Sequence, residues 1–157
     1  MKKIIFLLNL KREGKLQLVE SSEEIKQSYL DKSESNLISA KILLNRNRLE
    51  ESVGLAYYSM YHLLTALFFK AGIKSENHSA SIILLKELFQ MDNKDISEAK
   101  TERIDKQYYV DFKITKEEVQ NTIRKAELFN GIILGFISKM NNEQIKHYRE
   151  KFKELIE

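Results

Sequence analysis

Gly54–Ser79 reads GLAYYSMYHLLTALFFKAGIKSENHS, and the spacing of its apolar residues decides the fold. Leu49, Val53, Ala56, Met60, Leu63, Leu67 and Ala71 recur at helical intervals, and Tyr57, Tyr61, Leu64 and Phe68 form a second stripe beside them. A helix that is apolar on two flanks has to be covered on both. Either it is the central helix of a bundle, or a partner subunit buries the flank that the chain cannot. Gly72 ends the pattern where a left-handed residue is expected just past a helix terminus.

Upstream, Ser21-Ser22-Glu23-Glu24 has the S-x-x-E form of a capping box, which predicts a helix running to about Asn45. Leu30, Ser33, Leu37, Ala40 and Leu44 make its inward seam. Downstream, Ile73–His78 reads as a loop, and Asn77 or Ser79 caps a shorter helix carrying Ile82, Ile83, Leu85 and Leu88. Met91–Lys94 reads as a turn, and the pattern up to Thr115 supports only one or two helical turns. Thr115-Lys116-Glu117-Glu118 is a second capping box. It opens a run in which Val119, Thr122, Ala126, Phe129, Ile133, Phe136 and Met140 keep three-four spacing. Gly131 and Gly135, four apart on another face, predict close approach of a neighbouring helix. Asn141-Asn142 either ends this helix or starts a last one, with Ile145, Tyr148, Phe152 and Leu155 on one side.

The expected fold is therefore all-α, an antiparallel up-and-down bundle with short additional terminal helices. A single domain is expected over 1–157, with its core at about 20–140, an N-terminal helix or arm over 1–19 and a C-terminal helix over 141–157. The absence of proline permits long helices.

Composition excludes several functions. With no cysteine there is no disulfide, thiolate metal site or cysteine nucleophile, and three scattered histidines do not suggest a zinc site. No metal or other cofactor is expected. Nucleotide-hydrolase and zinc-protease motifs do not occur. The apolar run Ile4–Leu8 is too short for a signal peptide and no other segment is long enough to span a bilayer, so a cytoplasmic protein off the membrane is expected. Net charge is +3, from 26 basic and 23 acidic side chains that mostly alternate in sign. Lys2, Lys3, Lys11, Arg12 and Lys15, and Arg46 with Arg48, are the local exceptions, and solvated surface is favoured over a phosphate-binding patch.

Two polar clusters remain as candidates for chemistry. One is Tyr57, Tyr58, Tyr61 and His62 with Asn77-His78. The other is Thr101–Tyr109, TERIDKQYY.

Taken together, YLDKSESNLISAKILL from Tyr29, the A-YY-x-x-Y-H pattern at Ala56–His62, GIKSENHS from Gly72, ERIDKQYYVD from Glu102 and the ITKEEV…AELFN helix opening resemble the HEPN domain family. The likeness is to its small archaeal and bacterial type, often encoded beside a minimal nucleotidyltransferase, and covers about residues 15–135. It implies a helical homodimer with a functional cleft between subunits, RNA or a nucleotide as ligand, and a toxin-like role paired with a nucleotidyltransferase. Active members carry an arginine, four to six residues and a histidine at the start of a late helix. Arg103 matches the arginine, but the position five residues on is Tyr108. No arginine here has a histidine five to seven residues downstream.

That departure affects catalysis more than binding. Metal-independent RNA cleavage needs proton transfer at the 2′-hydroxyl and at the leaving oxygen, with a cation to offset phosphorane charge. A tyrosine of pKa ~10 is ionised about one part in a thousand at neutral pH, so its basic form costs about 4 kcal/mol. On this reading Arg103 stabilises the phosphate, Tyr108 positions the 2′-hydroxyl and His78 is an outside candidate for general base. Tyr57, Tyr61, Asn77, Asp105, Lys106 and Tyr109 make up the binding surroundings. The plainer alternatives stand beside it. Tyr57 and Tyr61 serve as core or dimer interface, Arg103 with Asp105 as a local ion pair, and His78 as a helix-start hydrogen-bonding residue. In some relatives a tyrosine near this motif is adenylylated by the paired enzyme, which makes Tyr108 or Tyr109 the expected acceptor. The competing function is a non-catalytic module that binds a partner enzyme through an apolar helical face.

Overall fold

Helix α3 (Leu49–Ala71) lies at the centre and is covered on both flanks by the chain itself. The computed structural model describes residues 1–108 and 113–157, with backbone alone at 105–108. Around α3 are α1 (Lys2–Arg12), α2 (Glu23–Asn45), α4 (His78–Glu87), α5 (Lys94–Tyr108), α6 (Lys116–Lys139) and α7 (Asn142–Ile156). The fold is all-α, apart from a short antiparallel ribbon of β1 (Leu16–Leu18) and β2 (Ile73–Ser75), in register Leu16 with Ser75 and Leu18 with Ile73.

The α2–α3 hairpin forms the closest pairing because its seam is built from small residues. Ser33 Oγ donates to the Ser59 carbonyl at 2.6 Å and Ser52 Oγ to the Ala40 carbonyl at 2.7 Å, so each hydroxyl is satisfied by the opposite helix. The turn between the helices passes through Asn47 at φ 58°, a left-handed conformation that asparagine tolerates. Both stripes of α3 are buried from Val53 to Ala71, and Tyr57, Leu64 and Phe68 need no second chain to cover them.

Several expected boundaries hold. Gly72 caps α3 at φ 74°, Asn77 Oδ1 caps α4 by accepting from Ala80 N at 2.9 Å, and Thr115 Oγ1 caps α6 by accepting from Glu118 N. Asn141 and Gln144 complete a reciprocal capping box on α7. Others shift. The cap of α2 is Ser22, accepting from Ile25 N, while Ser21 donates instead to the Lys70 carbonyl.

Three expectations are corrected. The stretch read as a turn or two is the 15-residue helix α5. The stretch read wholly as a loop contains β2, whose pairing partner lies more than fifty residues upstream. Among the described residues no helix approaches Gly131 or Gly135 closely, since a Cβ placed on either meets nothing within 4 Å. The core also runs past residues 20–140: Leu7, Leu10 and Leu16 on one side and Phe152 and Ile156 on the other belong to it. Among the described residues no helix is long and apolar enough to cross a membrane.

Candidate functional site

Helix α5 has little apolar surface, and that surface aims an arginine into the core. Ile96 and Ala99 are buried against the bundle, and Arg103, four residues beyond Ala99, continues the same face. Its guanidinium carbon sits 4.7 Å from the ring centre of Tyr58 and 5.7 Å from that of Tyr57. Such cation–π contacts are worth about 0.5–2 kcal/mol each as water is excluded, and they fix a flat guanidinium in orientation. Arg103 lies in the second half of α5 rather than at a helix start, because α5 begins well upstream of the motif.

His78 comes to the same rings from the other side. Asn77 starts α4, which makes His78 its first residue, and the imidazole stacks on Tyr61 with centroids 3.7 Å apart at 18°. The Tyr57 hydroxyl lies 2.7 Å from His78 Nδ1. Burial, then the positive charges of Arg103 and Lys100, hold the His78 pKa below its ordinary value. A helix N-terminus also disfavours a cation there. Burial raises the Tyr57 pKa, with further upward pushes from Tyr61 and Tyr58 against a downward pull from Arg103, so the phenol keeps its proton. Lys100 Nζ donates to Ser79 Oγ at 2.8 Å, bringing a second cation of α5 to the start of α4.

The structure thus juxtaposes Arg103 and His78, which the sequence left apart, across Tyr57 and Tyr58. Tyr57 is wholly buried and Tyr61 is 9% exposed, so both lie in the core and hold His78. Asn77 acts as the helix cap. Tyr109 and the side chains of Asp105, Lys106 and Tyr108 lie outside the described residues. The sequence reading missed the guanidinium-binding role of Tyr58, although it placed that ring in the right cluster. It also missed Lys100, for which no local signal exists.

His62 occupies a separate niche behind this layer. Its Nδ1 donates to Asn36 Oδ1 at 2.7 Å, and its ring packs on Tyr58 and Tyr29. Burial, then Lys32 and His78, lowers its pKa to about 4. In the unfolded chain the value returns near 6.5, so between about pH 4 and 6.5 only the unfolded state takes up the proton. Stability is therefore complete above that window and falls as pH drops through it. His62 accounts for about 1–2 kcal/mol of this fall, after allowance for solvent reaching the half-buried ring. Thermal melts from pH 7 to 4.5 should show a steeper decline for the native chain than for His62→Gln, and parallel curves would contradict this.

Among the described residues no group of three or more His, Cys, Asp or Glu is placed to hold a metal ion. A cleft of about 410 Å³ between α5 and α6 is lined by Asp95, Glu98 and Glu102 with Thr122 and Lys125, an acidic setting unsuited to a polyanion. Arg103 and His78 are the better candidate for an anion site.

Comparison with known proteins gives this geometry its family. The pattern of the HEPN domain matches residues 26–155. The chain belongs to the HEPN domain family. Within the region matched by that HEPN pattern lie α3, α4 and α5, and with them Tyr57, His78 and Arg103. A protein of Methanocaldococcus jannaschii named "Putative toxin MJ0605" is 32% identical over 114 residues, covering 68% of this chain and 84% of that protein. A protein of Pyrococcus horikoshii named "UPF0332 protein PH1297" is 38% identical over 60 residues, 38% of this chain and 42% of that protein. The first resemblance extends over most of that protein, the second over less than half of its own.

Proposed function

We propose that this HEPN protein is a toxin-like RNA-binding protein, working as a homodimer and paired with a nucleotidyltransferase. The observation that carries the reading is the convergence of the Arg103 guanidinium and the His78 imidazole on the Tyr57 and Tyr58 rings. A fixed guanidinium beside an uncharged ring nitrogen suits a phosphodiester. Arg103 takes the phosphate charge, and Tyr108, by the family resemblance, takes the 2′-hydroxyl. The toxin name of the M. jannaschii relative agrees with this reading.

The test is incubation of the purified chain with tRNA and total RNA in EDTA, read by gel shift and by cleavage products. Retarded tRNA, with affinity that weakens as salt rises, is the expected result. Binding without cleavage removes the ribonuclease and leaves RNA recognition, whereas no binding at low salt ends the reading. Sedimentation near twice 18.5 kDa is the expected companion result.

A second reading, a protein-docking module, draws on one specific observation. Leu128 and Ile132 are each 64% exposed on α6, beside the open faces of Gly131 and Gly135. On that reading Leu128→Asp with Ile132→Asp abolishes capture of the partner nucleotidyltransferase and leaves RNA binding intact.

A further inference from the structure

The hydroxyl of Tyr57 is the part of this site whose role the functional reading does not use. Tyr57 is completely buried, and among the described residues its hydroxyl has one hydrogen-bond partner, His78 Nδ1 at 2.7 Å. Two proton arrangements fit that distance. If Nδ1 carried the proton, it would donate to the phenol oxygen, and the hydroxyl proton would be buried with no acceptor. If the phenol donates, Nδ1 accepts, both atoms of this pair are satisfied, and the imidazole proton sits on Nε2. The second arrangement is the one a buried, protonated phenol requires. His78 Nε2 has no hydrogen-bond partner among the described residues, and the His78 side chain is partly exposed.

We propose that Tyr57 is a positioning residue that holds His78 in its Nε2–H form, so that His78 acts with Arg103 as a hydrogen-bond donor to a phosphate oxygen rather than as a general base. This rests on the RNA-binding reading for its ligand, though not for its tautomer. The assignment reverses the role that the sequence alone suggests for His78. A neutral imidazole with its proton on Nε2 has no lone pair at its open edge, so it takes no proton from a 2′-hydroxyl. It presents an N–H, as a guanidinium does, and such donors are what the non-bridging oxygens of a phosphodiester accept. Stacking of the ring on Tyr61 fixes the direction of that N–H, and Asn77 fixes the start of the helix that carries it.

The test combines a spectroscopic readout with a substitution series on the full-length chain. Long-range nitrogen–proton correlation spectra of the ¹⁵N-histidine-labelled protein at pH 7 report which nitrogen of His78 is protonated. The expected result is a protonated Nε2 and a bare Nδ1. In Tyr57→Phe the expected result is loss of this fixed form to a mixture of tautomers. A protonated Nδ1 in the native chain overturns the proposal, and so does a tautomer unchanged in Tyr57→Phe. Titration with inorganic phosphate and, separately, with a short oligouridylate should move the Nε2 resonance. Movement with phosphate in a chain that binds no RNA supports the donor site and removes the RNA reading. RNA binding that leaves Nε2 unmoved does the opposite. His78→Gln supplies an amide N–H near the Nε2 position but no base, and is expected to stay within about threefold of native RNA affinity. His78→Ala should lose about tenfold, the ordinary value of one hydrogen bond to a charged group. Equal losses in the two variants overturn the proposal.

Discussion

Arg103→Ala is expected to reduce RNA affinity about thirtyfold or more, and to reduce any cleavage by about a hundredfold or more, while the protein stays folded. The magnitudes follow from the role. Truncating a desolvated, hydrogen-bonded charge costs about 2–5 kcal/mol of binding, and removing a donor that meets developing charge costs about 10²–10³ in rate. Folding depends much less on this side chain. Its cation–π contacts with Tyr57 and Tyr58 contribute, but bringing a guanidinium out of water opposes them. Arg103→Met, which keeps the stem packed on the face of Ile96 and Ala99, should melt within a few degrees of the native chain and lose the RNA effect just as fully. Arg103→Lys should recover little, because an ammonium is a point charge without the flat face that lies over Tyr58. Gel-shift titrations at two salt concentrations check all three. Native affinity in a folded Arg103→Ala chain would remove Arg103 from the site.

Local periodicity revealed those parts of the fold that local periodicity builds. The two stripes of α3, the left-handed residue at Gly72 and the caps Asn77 and Thr115 are short-range features, and each was legible without tertiary contacts. Helix α5 was not, because Lys94–Tyr108 is mostly charged and buries little besides Ile96 and Ala99. A polar helix held by a few contacts gives too weak a stripe to count as one. The ribbon was illegible for another reason. Three residues pair with three residues far away, and the register depends on how α2 and α3 return the chain. Gly131 and Gly135 show the converse error, a local motif read as a contact that the fold does not make.

For the candidate site, the family pattern singled out Arg103 and the aromatic cluster, and helix-cap chemistry singled out Asn77-His78. What no pattern supplied was their meeting. Tyr57 and His78 are 21 residues apart, and Arg103 joins them only because α5 crosses α3 at the height of Tyr57 and Tyr58. His62 looked like part of the same cluster from its spacing, yet it turns to Asn36 on α2.

Gly72→Ala is expected to be the most destabilising small substitution in the segment that positions His78, and it separates two costs that glycine can hide. Gly14 and Gly72 share a φ of 74°, so alanine at either pays for a left-handed backbone, about 1 kcal/mol. At Gly14 nothing lies within 4 Å of the added Cβ, and that is the whole cost. At Gly72 the Cβ falls 2.7 Å from the Val19 carbonyl oxygen and collides with the Arg149 guanidinium. Neither neighbour is free to withdraw. Arg149 Nη1 donates to both the Val19 and Gly72 carbonyls, and Val19 N donates to the Gly72 carbonyl at 2.9 Å, so α7, the approach to α2 and the end of α3 meet at one peptide. Opening that junction adds about 2 kcal/mol, the usual cost of overpacking, for a total near 3. In a chain of this size the melting temperature then falls by roughly 6–12 °C, against roughly 2–4 °C for Gly14→Ala. The same change should blur the His78 resonance, since Gly72 leads directly into β2 and the Asn77 cap. Removing Arg149 first relieves only part of the clash, because the Val19 oxygen remains. Gly72→Ala should therefore cost less in an Arg149→Ala background but still more than Gly14→Ala. Equal melting shifts for the two glycine variants in the native background would show that the junction yields freely and that Gly72 is there for its backbone angle alone.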